Sequence, residues 1–168
     1  MIKDVKMKMP KTTEGIKNFF TSCEKRGRFV PDTPDHYKNR LRKAKHDLQC
    51  AIDENGLGNW DWTIIKAYYA IHHAANALLS KKKNVFSKDH TCLVISLKYH
   101  NLIGRKLFDE LVSIFEGFSD TLSIDIAFEM RKIGQYDVDK WEKLTQDDAE
   151  KVLNLAKRFV SYIERELQ

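Results

Sequence analysis

A chain of 168 residues fits one domain and is long enough to bury a full core, and its 42% hydrophobic and 32% charged residues argue against disorder. No apolar run approaches the roughly 20 residues of a membrane span, and the start "MIKDVKMKMPK" lacks the apolar core of a signal peptide, so a cytoplasmic protein without membrane contact is expected. The net charge of +5 is uneven: residues 1–46 hold 13 Lys and Arg against 5 Asp and Glu, whereas the remainder holds 16 against 19. A basic N-terminal region on a near-neutral body suits a polyanion such as RNA or a nucleotide, or is a plain solvated face.

Seven glycines and three prolines leave few turn clusters, which favours helices over an all-β fold. The first eleven residues are expected to fray. "TTEGIKNFFTSCEKRG" then spaces Ile16, Phe19, Phe20 and Cys23 as a short amphipathic helix ending at Gly27. "RFVPDTP" carries two prolines and forces the chain out of that helix. Pro34 and Asp35 open a second helix whose stripe is Tyr37, Leu41, Ala44, Leu48 and Ala51, with Lys38, Arg42 and Lys45 opposite and Gly56 and Gly58 at its end.

The third helix, "WDWTIIKAYYAIHHAANALLSKK", is the most apolar, and its stripe of Ile64, Ala67, Tyr68, Ile71, Ala75 and Leu78 places it at the centre. Asp89 starts a fourth helix through Tyr99 and His100, a fifth runs from Arg105 to Phe118, and a sixth from Thr121 to Ile133. The last has an acidic first turn and a stripe of Val152, Leu155, Phe159 and Ile163. The pattern is all-α: an antiparallel up-and-down bundle of four to five core helices plus a short N-terminal one. Cys23, Cys50 and Cys92 are far apart, odd in number and without metal-ligand spacing, so they read as reduced, mostly buried thiols.

Three segments in this order carry a resemblance. "IIKAYYAIHHAANALL" (64–79) holds a Tyr-Tyr-Ala followed by His and small residues; "SKDHTCLVISL" (87–97) opens a helix with Lys and His; "RKIGQYDV" (131–138) sets an Arg before a small residue, a polar one, Tyr and Asp. Together they resemble the HEPN family over about residues 35–168, leaving 1–34 as a basic extension with one short helix. The resemblance implies a four- or five-helix bundle, usually a homodimer. Many members are RNases, often toxins paired with a small nucleotidyltransferase antitoxin, with Arg followed after four to six residues by His in a cleft shared by two subunits. In-line attack of a ribose 2′-oxygen on phosphate needs a proton acceptor, a donor and a cation, and His and Arg supply these.

Arg131 matches the family's arginine, but no histidine follows through Trp141. On an unbroken helix Arg131 and Gln135 share a face, while positions five apart diverge by roughly 140°. Gly134 lets Tyr136 and Asp137 fold back beside Arg131, giving a cluster that binds a phosphate or a nucleotide edge. Alternatively Asp137 neutralises Arg131 and Tyr136 packs. The resemblance makes Tyr136 the acceptor for nucleotidylation by a partner.

His72 and His73 are adjacent and point to different sides, so they are no metal pair. His73 with Tyr69 and Asn76 forms a polar strip, either lining the same cleft and offering the missing proton shuttle or serving as satisfied core polarity. His90 and Lys88 contact phosphate at a helix start, or lie on the surface, the simpler reading for His90. Trp60 and Trp62 read as packing residues. No metal or cofactor is expected. Three functions compete: a binding protein for nucleotide, RNA or a nucleotidyltransferase, possessing Arg131 and Tyr136 at its cleft; a metal-independent endoribonuclease using Arg131 with His73; and an interaction domain without ligand.

Overall fold

The computed structural model describes residues 9–122 and 141–168. Six α-helices appear among them: α1 (Thr13–Lys25), α2 (His36–Gly56), α3 (Trp60–Lys83), α4 (His90–Tyr99), α5 (Arg105–Leu122) and α6 (Gln146–Glu166). Two three-residue strands, β1 (Phe29–Pro31) and β2 (Val85–Ser87), lie between them. The fold is a mainly helical bundle. Three residues join α2 to α3, so the two must run antiparallel.

Local chemistry sets the boundaries. Thr12 caps α1 by accepting from the Gly15 N–H at 3.0 Å, and Gly27, at φ +64°, turns the chain out of it. Gly58, at φ +76°, does the same between α2 and α3. Asp89 caps α4 through the Cys92 N–H at 2.9 Å, and Thr145 with Asp148 forms a capping box on α6.

Helix α3 is the axis, with α2 and α6 as its main neighbours. The expected stripe is buried in full, and Ala70, Ala74, Ala77 and Leu79 are buried with it, so α3 is covered on most sides. Phe108, Phe159, Ile64, Leu78 and Ile163 fill the centre, each fully buried and each contributing about 1.5–3 kcal/mol by leaving water. Val152 and Leu155 complete the face of α6. Trp60 packs on the core, whereas Trp62 is half-exposed.

Two expectations are corrected and one is filled in. The two-proline connector pairs as an antiparallel strand, Phe29 opposite Ser87, Val30 opposite Phe86 and Pro31 opposite Val85. A ribbon of two edge strands tolerates Pro31, which has no N–H to donate. Within the first eleven residues, Met9 is buried and its N–H donates to Glu116 Oε1 at 3.3 Å, which ties it down. Cys23 and Cys92 are not reduced thiols: packing of α1 on α4 brings their Cα atoms to 5.9 Å and they form a disulfide across 69 residues. Cys50 is free. The sixth expected helix, Thr121–Ile133, falls almost wholly outside the described residues.

Candidate functional site

On α3, Tyr68, His72 and Asn76 follow at spacings of four and form one row, while Tyr69 and His73, also four apart, form the row beside it. His90, in the first turn of α4, comes up against them. The result is a closed circuit of five rings. Tyr69 stacks with His73 at 6.3 Å, His73 meets His72 edge-on at 5.5 Å, and His72 stacks on His90 at 4.3 Å. His90 then stacks on Tyr68 at 5.1 Å, and Tyr68 meets Tyr69 edge-on at 6.3 Å. The Tyr68 hydroxyl is hydrogen-bonded to His90 Nδ1. His90 is therefore no surface residue; the short β2–α4 link turns it inward over α3.

Asn76 builds that link. Its Nδ2 donates to the Ser87 carbonyl at 2.9 Å and its Oδ1 accepts from the Ser87 N–H at 2.8 Å. Both ends of a buried amide are thus committed to backbone, which makes Asn76 a support for the turn. Nδ2 also lies 3.2 Å from His72 Nε2, so that nitrogen accepts and the imidazole proton sits on Nδ1. Among the described residues Nδ1 is buried without a hydrogen-bond partner.

Burial holds the imidazoles neutral. It pushes His72 well below the ordinary histidine value, reinforced by neighbouring His90 and His73. It lowers His90 to about 4 despite the opposing Asp89 carboxylate. His73 is also lowered by burial, with Asp47 opposing and Lys43 assisting.

The α2 side adds charge. Asp47 is buried, its Oδ1 bound by the Lys43 ammonium and its Oδ2 3.6 Å from His73 Nε2. Nearby, Arg40 Nε donates to Asp32 at 2.8 Å while its guanidinium covers the Phe86 ring at 4.1 Å. Burial alone would raise the Asp32 pKa, but Arg40 and His36 outweigh it and hold the carboxyl at about 2. Lys88 is exposed, away from these contacts. Between Tyr68, His72, His90, Leu93, Leu111 and Ile114 is a cavity of about 20 Å³, room for one water and too small for a nucleotide. On the outer rim Lys43 and His73 are 52% and 27% exposed.

The structure thus brings together Tyr69, His73, Asn76 and His90, and leaves Lys88 apart. Arg131, Gln135, Tyr136 and Asp137 lie outside the described residues. Sequence reasoning missed Tyr68, His72 and Asp47 as site members. The spacing of Tyr68, His72 and Asn76 at successive fours was a usable signal, as was an acid at position 47 among Ala44, Leu48 and Ala51 on the inward face of α2.

Among the described residues no helix is long and apolar enough to cross a membrane. No curated protein and no solved structure gives a match to the chain. The model of the HEPN domain matches residues 37–166, and with most of its length so covered the chain belongs to the HEPN domain family.

Proposed function

We propose that this HEPN-family protein binds a nucleotide or an RNA phosphate backbone at the rim formed by Lys43, Tyr69 and His73. One observation carries the reading: a neutral, partly exposed imidazole stands beside a cation and an aromatic face on a rigid helix. Lysine attracts the phosphate, an aromatic face accepts a base, and an imidazole donates or accepts at its edge. The basic surplus of residues 1–46, which include Lys43, steers a polyanion toward this side. By family resemblance Arg131, Gln135, Tyr136 and Asp137 join the cleft, two protomers share it, and a nucleotidyltransferase partner of a toxin–antitoxin pair modifies Tyr136.

Asp47 beside His73 also favours a second reading, a metal-independent endoribonuclease. A neutral His73 accepts the 2′-hydroxyl proton, Asp47 stabilises the imidazolium formed, Arg131 takes the phosphorane charge, and the imidazolium gives its proton to the 5′-oxygen as the P–O5′ bond breaks. The missing motif histidine is then supplied from α3.

Short single-stranded RNA, labelled at one end and incubated with the full chain in chelator, separates the two. The binding reading expects intact RNA, a salt-dependent affinity, and a loss of about three- to tenfold in Lys43→Ala and His73→Gln. Unchanged affinity in both variants sinks it. Cleavage by the native protein that falls by about a hundredfold or more in His73→Gln and in Arg131→Ala selects the nuclease; equal cleavage in all three removes it.

A further inference from the structure

Cys23 and Cys92 are joined across two parts of the chain with different standing. Cys23 sits on α1, ahead of the family-matched residues 37–166, and Cys92 sits in the first turn of α4, two residues after His90. The bond therefore ties the N-terminal arm to the turn that supplies His90. Other ties hold the arm as well: Ile16 and Phe20 are buried in the core and β1 pairs with β2. Phe20 stacks on Tyr99 at 3.9 Å, but Tyr99 is itself 38% exposed. Arg28 lies 3.7 Å from Asp89 with 43% of its side chain exposed, and the Ser87 hydroxyl donates to the Arg28 carbonyl at 3.0 Å. A helix of 13 residues is near the lower limit for holding its shape unaided, so α1 depends on what fastens it.

The sulfurs also sit where negative charge is favoured. Arg26 Nη2 is 3.7 Å from Cys23 Sγ and 3.6 Å from Cys92 Sγ. Cys92 is the third residue of α4, at the positive end of that helix, where the Asp89 carboxylate already caps the Cys92 N–H and opposes the effect of Arg26. Both cysteines are fully buried, so exchange requires α1 to open first, although a guanidinium and a helix start favour a thiolate. Cys50, in the middle of α2 beside His46, has neither.

We propose that the Cys23–Cys92 pair is a redox latch, closed when oxidised and opened by a dithiol reductant. One thiolate of the reductant attacks Cys23 Sγ after local opening of α1; the S–S bond breaks and Cys92 leaves as a thiolate stabilised by Arg26 and the helix start. The second reductant thiolate resolves the mixed disulfide and releases Cys23. Two electrons and two protons pass from the dithiol to the protein, and the reductant ends as a disulfide. Opening frees α1 and β1 from the β2–α4 turn while the family bundle stays folded. The latch stands on the fold and does not rest on which ligand the rim binds.

The test uses the full chain purified without reductant. Alkylation after denaturation is expected to label one cysteine, Cys50, and all three after dithiothreitol. Limited trypsin digestion then reads the arm at Lys25, Arg26 and Arg28, all exposed. Reduction is expected to speed cleavage there on the order of tenfold while the rest of the chain and its circular dichroism persist. Cys23→Ser cleaves fast with or without reductant, and Cys50→Ser behaves as the native chain. Three labelled cysteines without reductant overturn the proposal. So does arm cleavage unchanged by reduction, or reduction that exposes the whole chain and abolishes helicity, since a plain structural staple then remains.

Discussion

Helix α3 has two characters. Along one stripe it presents Ile64, Ala67, Ile71, Ala75 and Leu78, a dry and buried face, with Ile71 and Ala75 also lining the small cavity beside α4 and α5. Toward α4 and β2 it presents Tyr68, His72 and Asn76, with Tyr69 and His73 at the margin, held by hydrogen bonds and ring contacts. The first face sets stability, and the second converts that stability into fixed positions for polar groups. A site mounted on the most buried helix loses little precision to local motion.

Breaking the dry face has the largest expected effect. Phe159→Ala removes a fully buried ring opposite α3 and should cost about 3–5 kcal/mol in denaturant unfolding. Next is Asn76→Ala, which leaves the buried Ser87 N–H and C=O without partners; about 2–3 kcal/mol is expected, with a shift in the His90 environment that Phe159→Ala does not cause.

Acidification acts on the polar face rather than the dry one. The unfolded chain, with histidines near 6.5, takes up protons before the native His90 does, at about 4. Stability therefore falls as pH drops below about 6.5 and this contribution levels off near about 4. His90 alone should cost about 2 kcal/mol between about pH 7 and about pH 5, and His90→Phe should flatten that part of the profile. Asp32 works in a separate, lower window: the stability it adds above its ordinary value of 3.8 is lost as pH falls through about 2. The smallest stability effect belongs to His73→Gln. At a partly exposed margin, with Lys43 still pairing Asp47, its midpoint in urea should move by less than about 1 kcal/mol equivalent while RNA affinity falls.

The contrast also explains what was legible in the sequence. Periodicity reports burial, so the stripes on α2, α3 and α6 could be read directly, as could the start of α4 at Asp89 and the acidic first turn of α6. Relations between distant segments leave no local trace. The β1–β2 pairing, the Cys23–Cys92 bond and the inward turn of His90 each depend on where α1 and α4 dock. Asn76 read as a ligand residue because its chemistry is that of one, yet its partner is a backbone turn 11 residues on. Asp47 was hidden by counting acids along the chain rather than asking which faced inward.

Under the proposed function the rim of the ring circuit receives the ligand. Imidazole resonances of His73, His72 and His90, followed by NMR during titration with a short single-stranded RNA, test it most directly. The account predicts that His73 shifts first and most, that His90 and His72 follow weakly through the stacked rings, and that Lys43→Ala reduces the response. RNA binding that leaves all three imidazoles unmoved would contradict it.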